Sequence, residues 1–173
     1  MANLLTFIKQ QAIKKISANN AGKYDQLAFE VENKELYDLL GVALLQDLQT
    51  NPTEANNLLL LNGTTFEDCN GNTIRHRGIR FVLAYLNYSR YIGESMINDT
   101  FTGFVVKTRP DSELISEGYI KRLQLENRSI ALKEFEIIKE YLNLNADIFT
   151  LWNCTTRRKP FTPRITGVRK TIK

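Results

Sequence analysis

The chain has 173 residues and a mass of 19.9 kDa, room for one domain with a single core and too little for a large multi-domain enzyme. With 43% hydrophobic and 24% charged residues, nine Gly and four Pro, it has the composition of a folded chain and not of a fibrous or disordered one. The formal net charge of +4 is carried unevenly: residues 155–173 hold seven Lys and Arg and no Asp or Glu, so the first 154 residues carry sixteen basic and nineteen acidic side chains, a net −3.

In chain order, Leu5, Ile8, Ala12, Ile13 and Ile16 fall at helical intervals and predict a first amphipathic helix with Lys9, Lys14 and Lys15 on its other face. A second helix is predicted over residues 24–40 from Leu27, Val31, Leu36, Leu39 and Leu40, ended or kinked at Gly41. Further turns run through Leu44 and Leu48 until Pro52 breaks them. Residues 58–61 form a short apolar helix closed by Asn62-Gly63. Over residues 64–75 the pattern turns β-prone around Asn70-Gly71, which predicts a small hairpin with a type I′ turn.

A central helix follows over residues 78–98. Ile79, Val82, Leu83, Leu86, Gly93 and Ile97 make one stripe, and Phe81, Tyr85, Tyr88, Ile92 and Met96 make another. A helix apolar on two sides is buried on two sides, and the second cover comes either from the same chain or from a neighbouring subunit. Phe81, Tyr85, Tyr88 and Ile92 are therefore candidate subunit-interface residues. Residues 100–108, bounded by Arg109-Pro110, read as extended. Residues 112–142 predict a long helix, about 46 Å if unbroken, capped by Ser112 and kinked near Asn127. Residues 143–154 are a loop whose Ile148, Phe149, Leu151 and Trp152 pack back onto the body.

Little in the chain carries covalent chemistry. His76 has no second histidine to share a metal, and Cys69 and Cys154 lie too far apart in sequence for a zinc-type pair. The adjacent Glu67 and Asp68 would point to opposite faces of a strand. No phosphate-binding glycine loop or nucleophile elbow is present. The expectation is a protein that is not an enzyme, with no catalytic residues, no cofactor and no metal. No apolar run approaches the roughly 20 residues needed to cross a bilayer, and the N-terminus lacks a signal-peptide pattern, so a reduced, intracellular setting without membrane contact is expected. Arg75, Arg77 and Arg80, with Arg90, stand around the start of the central helix. They are candidates for contacts to DNA phosphates or, more plainly, to carboxylates such as Glu67 and Asp68 or those of another subunit.

The C-terminal residues 155–173 are read as an extended basic tail, distinct from the helical domain of residues 1–154. Pro160 and Pro163 favour extended backbone, nineteen such residues reach about 60 Å, and the segment has no core of its own. Phe161, Ile165, Val168 and Ile172, interleaved with Arg157, Arg158, Lys159, Arg164, Arg169 and Lys170, fit docking on a partner better than simple solubilisation.

Several stretches together resemble a known family. They are Leu39-Leu40-Gly41; Leu60-Leu61-Asn62-Gly63 with Phe66 and Gly71; Gly78-Ile79-Arg80-Phe81-Val82-Leu83-Ala84-Tyr85 running into Tyr88-Ser89-Arg90-Tyr91-Ile92; and Thr100-Phe101-Thr102-Gly103-Phe104-Val105. In order and spacing, over residues 24–142, the chain resembles the head-to-tail connector proteins (adaptor or head-completion proteins) of tailed bacteriophages, especially those of crAss-like and other Bacteroidetes phages. The likeness is one of apolar, glycine and aromatic positions and includes no catalytic signature. It implies a mostly helical subunit in a dodecameric ring beneath the portal vertex, around the DNA channel, with a C-terminal extension onto the portal protein. The implied partners are other copies of the chain, the portal, the next ring or tail protein and the packaged DNA. The implied place is the head–tail junction of the virion, after assembly in the host cytoplasm.

The expected fold is thus mainly α: a helical bundle with a long C-terminal helix, a small β-hairpin and an extended C-terminal tail. The expected function is a structural connector ring anchored by that tail. The alternative is a nucleic-acid-binding module acting through the same basic residues, whose affinity would fall steeply with salt.

Overall fold

The computed structural model describes residues 4–15, 21–95 and 116–152, together with the backbone of 97–100 and 103–106. Ser112 and all of residues 155–173 lie outside the described residues. The described chain is mainly helical, with a long C-terminal helix and a small antiparallel hairpin.

Helix α1 is Phe7–Ile13. Its face differs from the expected one: Ile8 is 81% exposed and Ala12 is exposed, whereas Gln10 is fully buried. The physical reason is polar. Gln10 Nε2 donates to the Ala84 carbonyl at 3.2 Å; with Gln10 and Ile13 on the inner face, Ile8 points outward. The segment before α1 is anchored by Leu4 and Leu5, both buried in the core.

Helix α2, Ala21–Val31, passes through a π-helical turn, Glu32–Leu36, into α3, Tyr37–Leu40. Gly41, at φ 79°, ends this run and starts α4, Val42–Thr50. Helix α5, Ala55–Asn62, stops at Gly63, after which β1 (Thr64–Glu67) pairs antiparallel with β2 (Thr73–His76), Phe66 facing Ile74 across the ladder.

The hairpin turn is not the expected type I′. Asn70 does not adopt positive φ, and only Gly71, at 80°, does so there. The Asp68 carboxylate organises the loop instead, accepting the amides of Asn70 and Asn72 at 2.8 Å each and the Asn72 side chain at 2.9 Å. These bonds hold the Asp68 pKa below the usual carboxylate range. A short Asx-type loop is an alternative solution to the same turn problem.

Gly63 and Gly78 seat the hairpin between α5 and α6. Both have positive φ, 95° and 86°, and a Cβ at either would come within 2.4 Å of a backbone oxygen, that of His76 or Leu61 respectively. Only glycine permits two chain segments to cross this closely.

Helix α6, Ile79–Ser95, ends earlier than the periodicity predicts. Ile97 and Asn98, expected to continue it, belong to β3 (Ile97–Thr100), paired antiparallel with β4 (Gly103–Val106), so the described part of the expected extended segment lies in a second hairpin. Helix α7 runs unbroken over Glu117–Leu144, about 42 Å, and begins at Ser116, whose side chain accepts the Tyr119 amide. It has no break at Asn127. That residue's amide donates to the Leu123 carbonyl, which keeps its polar group satisfied within a continuous helix.

Helices α6 and α7 form the main packing pair. Ser89 Oγ donates to the Gln124 carbonyl at 2.8 Å, and Gly93 leaves room for the Gln124 side chain, which a Cβ there would meet at 2.2 Å. The core gathers Leu36, Leu40, Leu44, Leu60, Leu61, Val82, Leu83, Leu86, Ile138 and Leu142. As expected, the chain after α7 returns to the body through Phe149 and Trp152, both buried, with Trp152 Nε1 donating to Asn143 Oδ1 at 2.8 Å. Ile148 and Leu151, expected to pack likewise, remain largely exposed.

Candidate functional site

The second stripe of α6 is half-buried: Phe81, Tyr85, Tyr88 and Ile92 are neither in the core nor open to solvent. Part of its cover comes from the same chain. Phe81 and Tyr85 pack with their rings tilted by 34° at 4.5 Å between centroids, and the Arg77 guanidinium lies 4.8 Å from the centroid of the Phe81 ring. Lys14, at the C-terminal end of α1, places Nζ 4.7 Å from the Tyr85 centroid and 4.4 Å from that of Tyr88, and donates to Asn127 Oδ1 at 2.7 Å. Two ring faces and an amide oxygen are a favourable seat for an ammonium. Burial nevertheless lowers the Lys14 pKa, and nearby Glu126 opposes that shift.

The arginines separate by role. Arg80 is committed within the chain: Nε donates to the Leu4 carbonyl at 3.1 Å and a terminal nitrogen donates to Asn62 Oδ1, while burial lowers its pKa. Its partners are neutral oxygens and not the carboxylates considered from the sequence. Arg77 anchors through its backbone, whose N–H donates to buried Glu134 at 2.5 Å, and its side chain is exposed over Phe81. Arg75 sits opposite Thr65 in the hairpin and is exposed. Arg90 pairs with Glu30 at 3.6 Å. Neither Glu67 nor Asp68 takes part in these contacts of Arg77, Arg80 and Arg90.

His76 is buried completely, its ring 4.6 Å from that of Tyr141, and neither ring nitrogen has a hydrogen-bond partner. Desolvation pushes its pKa down to about 4. Cys69 is exposed in the hairpin loop, so the two do not share one environment. Among the described residues, no group of three His, Cys, Asp or Glu side chains could hold a metal, and no helix is long and apolar enough to cross a membrane.

Two outward apolar features were not singled out from the sequence. On α7 the inward stripe is Asn127, Ala131, Glu134, Phe135, Ile138, Tyr141 and Leu142, whereas Leu125 (67% exposed) and Leu132 (37% exposed) stand on the other side. With Arg128, Ser129, Lys133 and Glu136 they line an open groove of about 450 Å³. The signal was available in the seven-residue spacing of two leucines on an otherwise polar face. The second feature is Ile8 on α1, which periodicity assigns to the inside. The ten tail positions expected to meet a partner, Arg157, Arg158, Lys159, Phe161, Arg164, Ile165, Val168, Arg169, Lys170 and Ile172, all lie outside the described residues.

The class defined by these features is a small helical domain with two short hairpins and exposed apolar helix faces. The chain belongs to DUF6712, a family of unknown function, which it matches over residues 36–162. No curated protein and no solved structure matches it.

Proposed function

We propose that the chain is a structural virion protein with no catalytic role, assembling as a ring at the portal vertex of a tailed phage, where it joins portal to tail and surrounds the DNA channel. The basic C-terminal residues 155–173 anchor it to the portal, and its place in the particle is the head–tail junction. The observation that carries this reading is the two-sided character of α7: one side is buried against α6, while Leu125 and Leu132 lie open on the other. An apolar helix face left uncovered in one copy is the ordinary material of a protein–protein interface. The ordered resemblance over residues 24–142 and the +7 charge of the tail support the same reading.

The tail's charge also favours a second reading, a nucleic-acid-binding module, because seven cations without an acidic neighbour suit a phosphate backbone. A pull-down from infected-cell lysate after nuclease treatment separates the two, using the full-length chain and a 1–154 truncation as baits. The connector reading expects the full-length chain to recover a portal or other capsid-vertex protein and the truncation to lose it. Recovery of nothing once nucleic acid has been removed, with salt-sensitive DNA binding by the full-length chain, overturns it in favour of the second.

A further inference from the structure

We infer that α1 of one copy docks into the outer groove of α7 on the next, with Ile8 and Ala12 as the inserted side chains; the inference rests on the ring reading and names the surfaces that join its subunits.

The groove has a specific pattern. Leu125, Arg128, Ser129 and Leu132 occupy positions i, i+3, i+4 and i+7, the four corners of a hole that accepts one side chain from a facing helix. Ser129, Leu132, Lys133 and Glu136 repeat those spacings four residues further on, so two consecutive holes lie along the exposed face. On α1 the exposed pair Ile8 and Ala12 has the same four-residue step. A ridge of step four fits a groove of step four, the commonest mode of helix packing.

Charge sets the polarity. Lys15 is exposed just beyond the C-terminal end of α1. If the helices run the same way, Ile8 enters the Leu125 hole, Ala12 enters the Ser129–Glu136 hole, and Lys15 lies toward Glu136, whose carboxylate it would share with Lys139 of the receiving chain. The opposite direction would bring Lys15 toward Lys121 and Arg122, where the nearby carboxylate of Glu117 is already paired with Lys121. Arg128, at the rim of the first hole, is already ion-paired with Glu35 of its own chain and offers no repulsion to an incoming apolar side chain.

The occupant is a second copy and not the same chain. Gln10 holds α1 to the Ala84 carbonyl, and Lys14 holds its end against Tyr85, Tyr88 and Asn127. Asn127 belongs to the inward stripe of α7, so the chain's own α1 meets α7 from the side opposite the groove. A contact between two different surfaces is heterologous: repeated, it closes a ring where its rotation closes and builds an open filament where it does not, and the ring reading requires the first.

The test uses full-length chains. Ile8→Asp removes the inserted ridge, and Leu125→Asp with Leu132→Asp removes the groove; both change exposed positions, and far-UV circular dichroism checks that each chain is folded. In light scattering at about 100 μM, a concentration suited to a small interface, wild type is expected to associate and each variant to run as a monomer. Mixed in equal amounts, the two variants should form a 1:1 dimer and nothing larger, because one keeps the groove and the other keeps the ridge. In a Cys69→Ser, Cys154→Ser background, Ile8→Cys chains should form disulfide dimers with Ser129→Cys chains and not with Asn70→Cys chains.

Wild-type rings that persist in both variants overturn this contact and leave the ring reading standing. Dimers or open chains that need both surfaces but never close uphold the contact and overturn the ring. A wild type that stays monomeric and gives no Ile8–Ser129 cross-link overturns the contact outright.

Discussion

The β1–β2 hairpin and the N-terminal segment both close over the helical core, yet they are held by opposite means. The hairpin is seated by shape: two glycines let backbones cross, and its Phe66 and His76 pack on Tyr141, itself edge-on to Phe149, at centroid distances of 4.6 to 6.2 Å. The N-terminal segment is pinned by polar bonds. Leu4 donates its amide to buried Glu32 at 3.0 Å and gives its carbonyl to Arg80, Phe7 donates to Asp25, and Gln10 reaches the Ala84 carbonyl. A seat made of shape fails when volume is added. Pinned by polar groups, a segment fails when one partner is removed, because the other is left buried and unsatisfied.

The largest effect should come from adding a single carbon to the hairpin seat. Gly63→Ala and Gly78→Ala each combine a positive φ with a backbone oxygen 2.4 Å from the new Cβ, and each should cost on the order of 3–5 kcal/mol. Gly71→Ala supplies the control: its φ of 80° is equally foreign to alanine, but nothing lies within 4 Å, so the cost should be about 1 kcal/mol. Urea unfolding at pH 7 measures all three. Equal losses at Gly63 and Gly71 would show that backbone conformation alone, and not the close crossing, holds the hairpin.

Acid should attack the same seat next. The folded-state pKa of His76 is pushed down to about 4 from its ordinary 6.5, so between those values the unfolded chain takes up a proton that the folded chain refuses. Stability contributed by the neutral imidazole is complete above pH 6.5 and is lost as pH falls toward 4, a total of about 3 kcal/mol. His76→Phe should flatten that part of the pH profile in denaturant titrations at pH 7, 5.5 and 4.5. The N-terminal segment responds with the opposite sign. Burial raises the Glu32 pKa, so the stability associated with its neutral form is complete below the usual glutamate range and is lost as pH rises through the folded value. Hydrogen exchange, corrected for intrinsic rates, should show the hairpin loosening on acidification while the amide of Leu4 tightens.

The two regions also differ in what their residues disclose in advance. Asn70-Gly71 and the helix stop at Asn62-Gly63 marked the place of the hairpin, though not its turn type, because turn chemistry is local and each residue acts on its own backbone. The mainly helical architecture, the break at Gly41 and the return of Phe149 and Trp152 were legible for the same reason, from periodicity and punctuation. The hidden part was long-range. Nothing within five residues of Gln10 announces that Ala84 offers a carbonyl, yet that bond accompanies the rotation of α1 that leaves Ile8 outside. Likewise the end of α6 at Ser95 depends on β3 finding β4, a pairing that helical periodicity through Ile97 conceals. In the candidate interface, the half-buried state of Tyr85 and Tyr88 depends on Lys14, which arrives from a helix more than seventy residues away.

Removing one polar pin should cost less than crowding the hairpin. Glu32→Ala leaves the Leu4 amide and the Gln49 side chain without their shared acceptor and should cost about 2–3 kcal/mol. Glu32→Gln, which keeps an acceptor and removes a charge that burial disfavours, should recover most of that loss and abolish the pH response of the Leu4 amide. If Glu32→Ala is neutral while Leu5→Ala is severe, the N-terminal segment is held by its leucines and the contrast with the hairpin narrows.

The smallest effect is the sharpest test of how α1 is oriented. An isoleucine that belongs to the core costs roughly 2–5 kcal/mol when cut to alanine, whereas one that is 81% exposed should move the unfolding free energy of a single chain by less than about 0.5 kcal/mol. Ile8→Ser, measured in urea at protein concentrations low enough to exclude association, should therefore be silent beside Gln10→Ala, which removes a buried hydrogen bond to the Ala84 carbonyl and the packing of a fully buried side chain and should cost about 1 kcal/mol. The reverse ranking would mean that α1 sits as periodicity alone assigns it, with Ile8 inward. A silent Ile8→Ser in the monomer, with a marked loss of association at high concentration, would place the value of that side chain outside its own subunit.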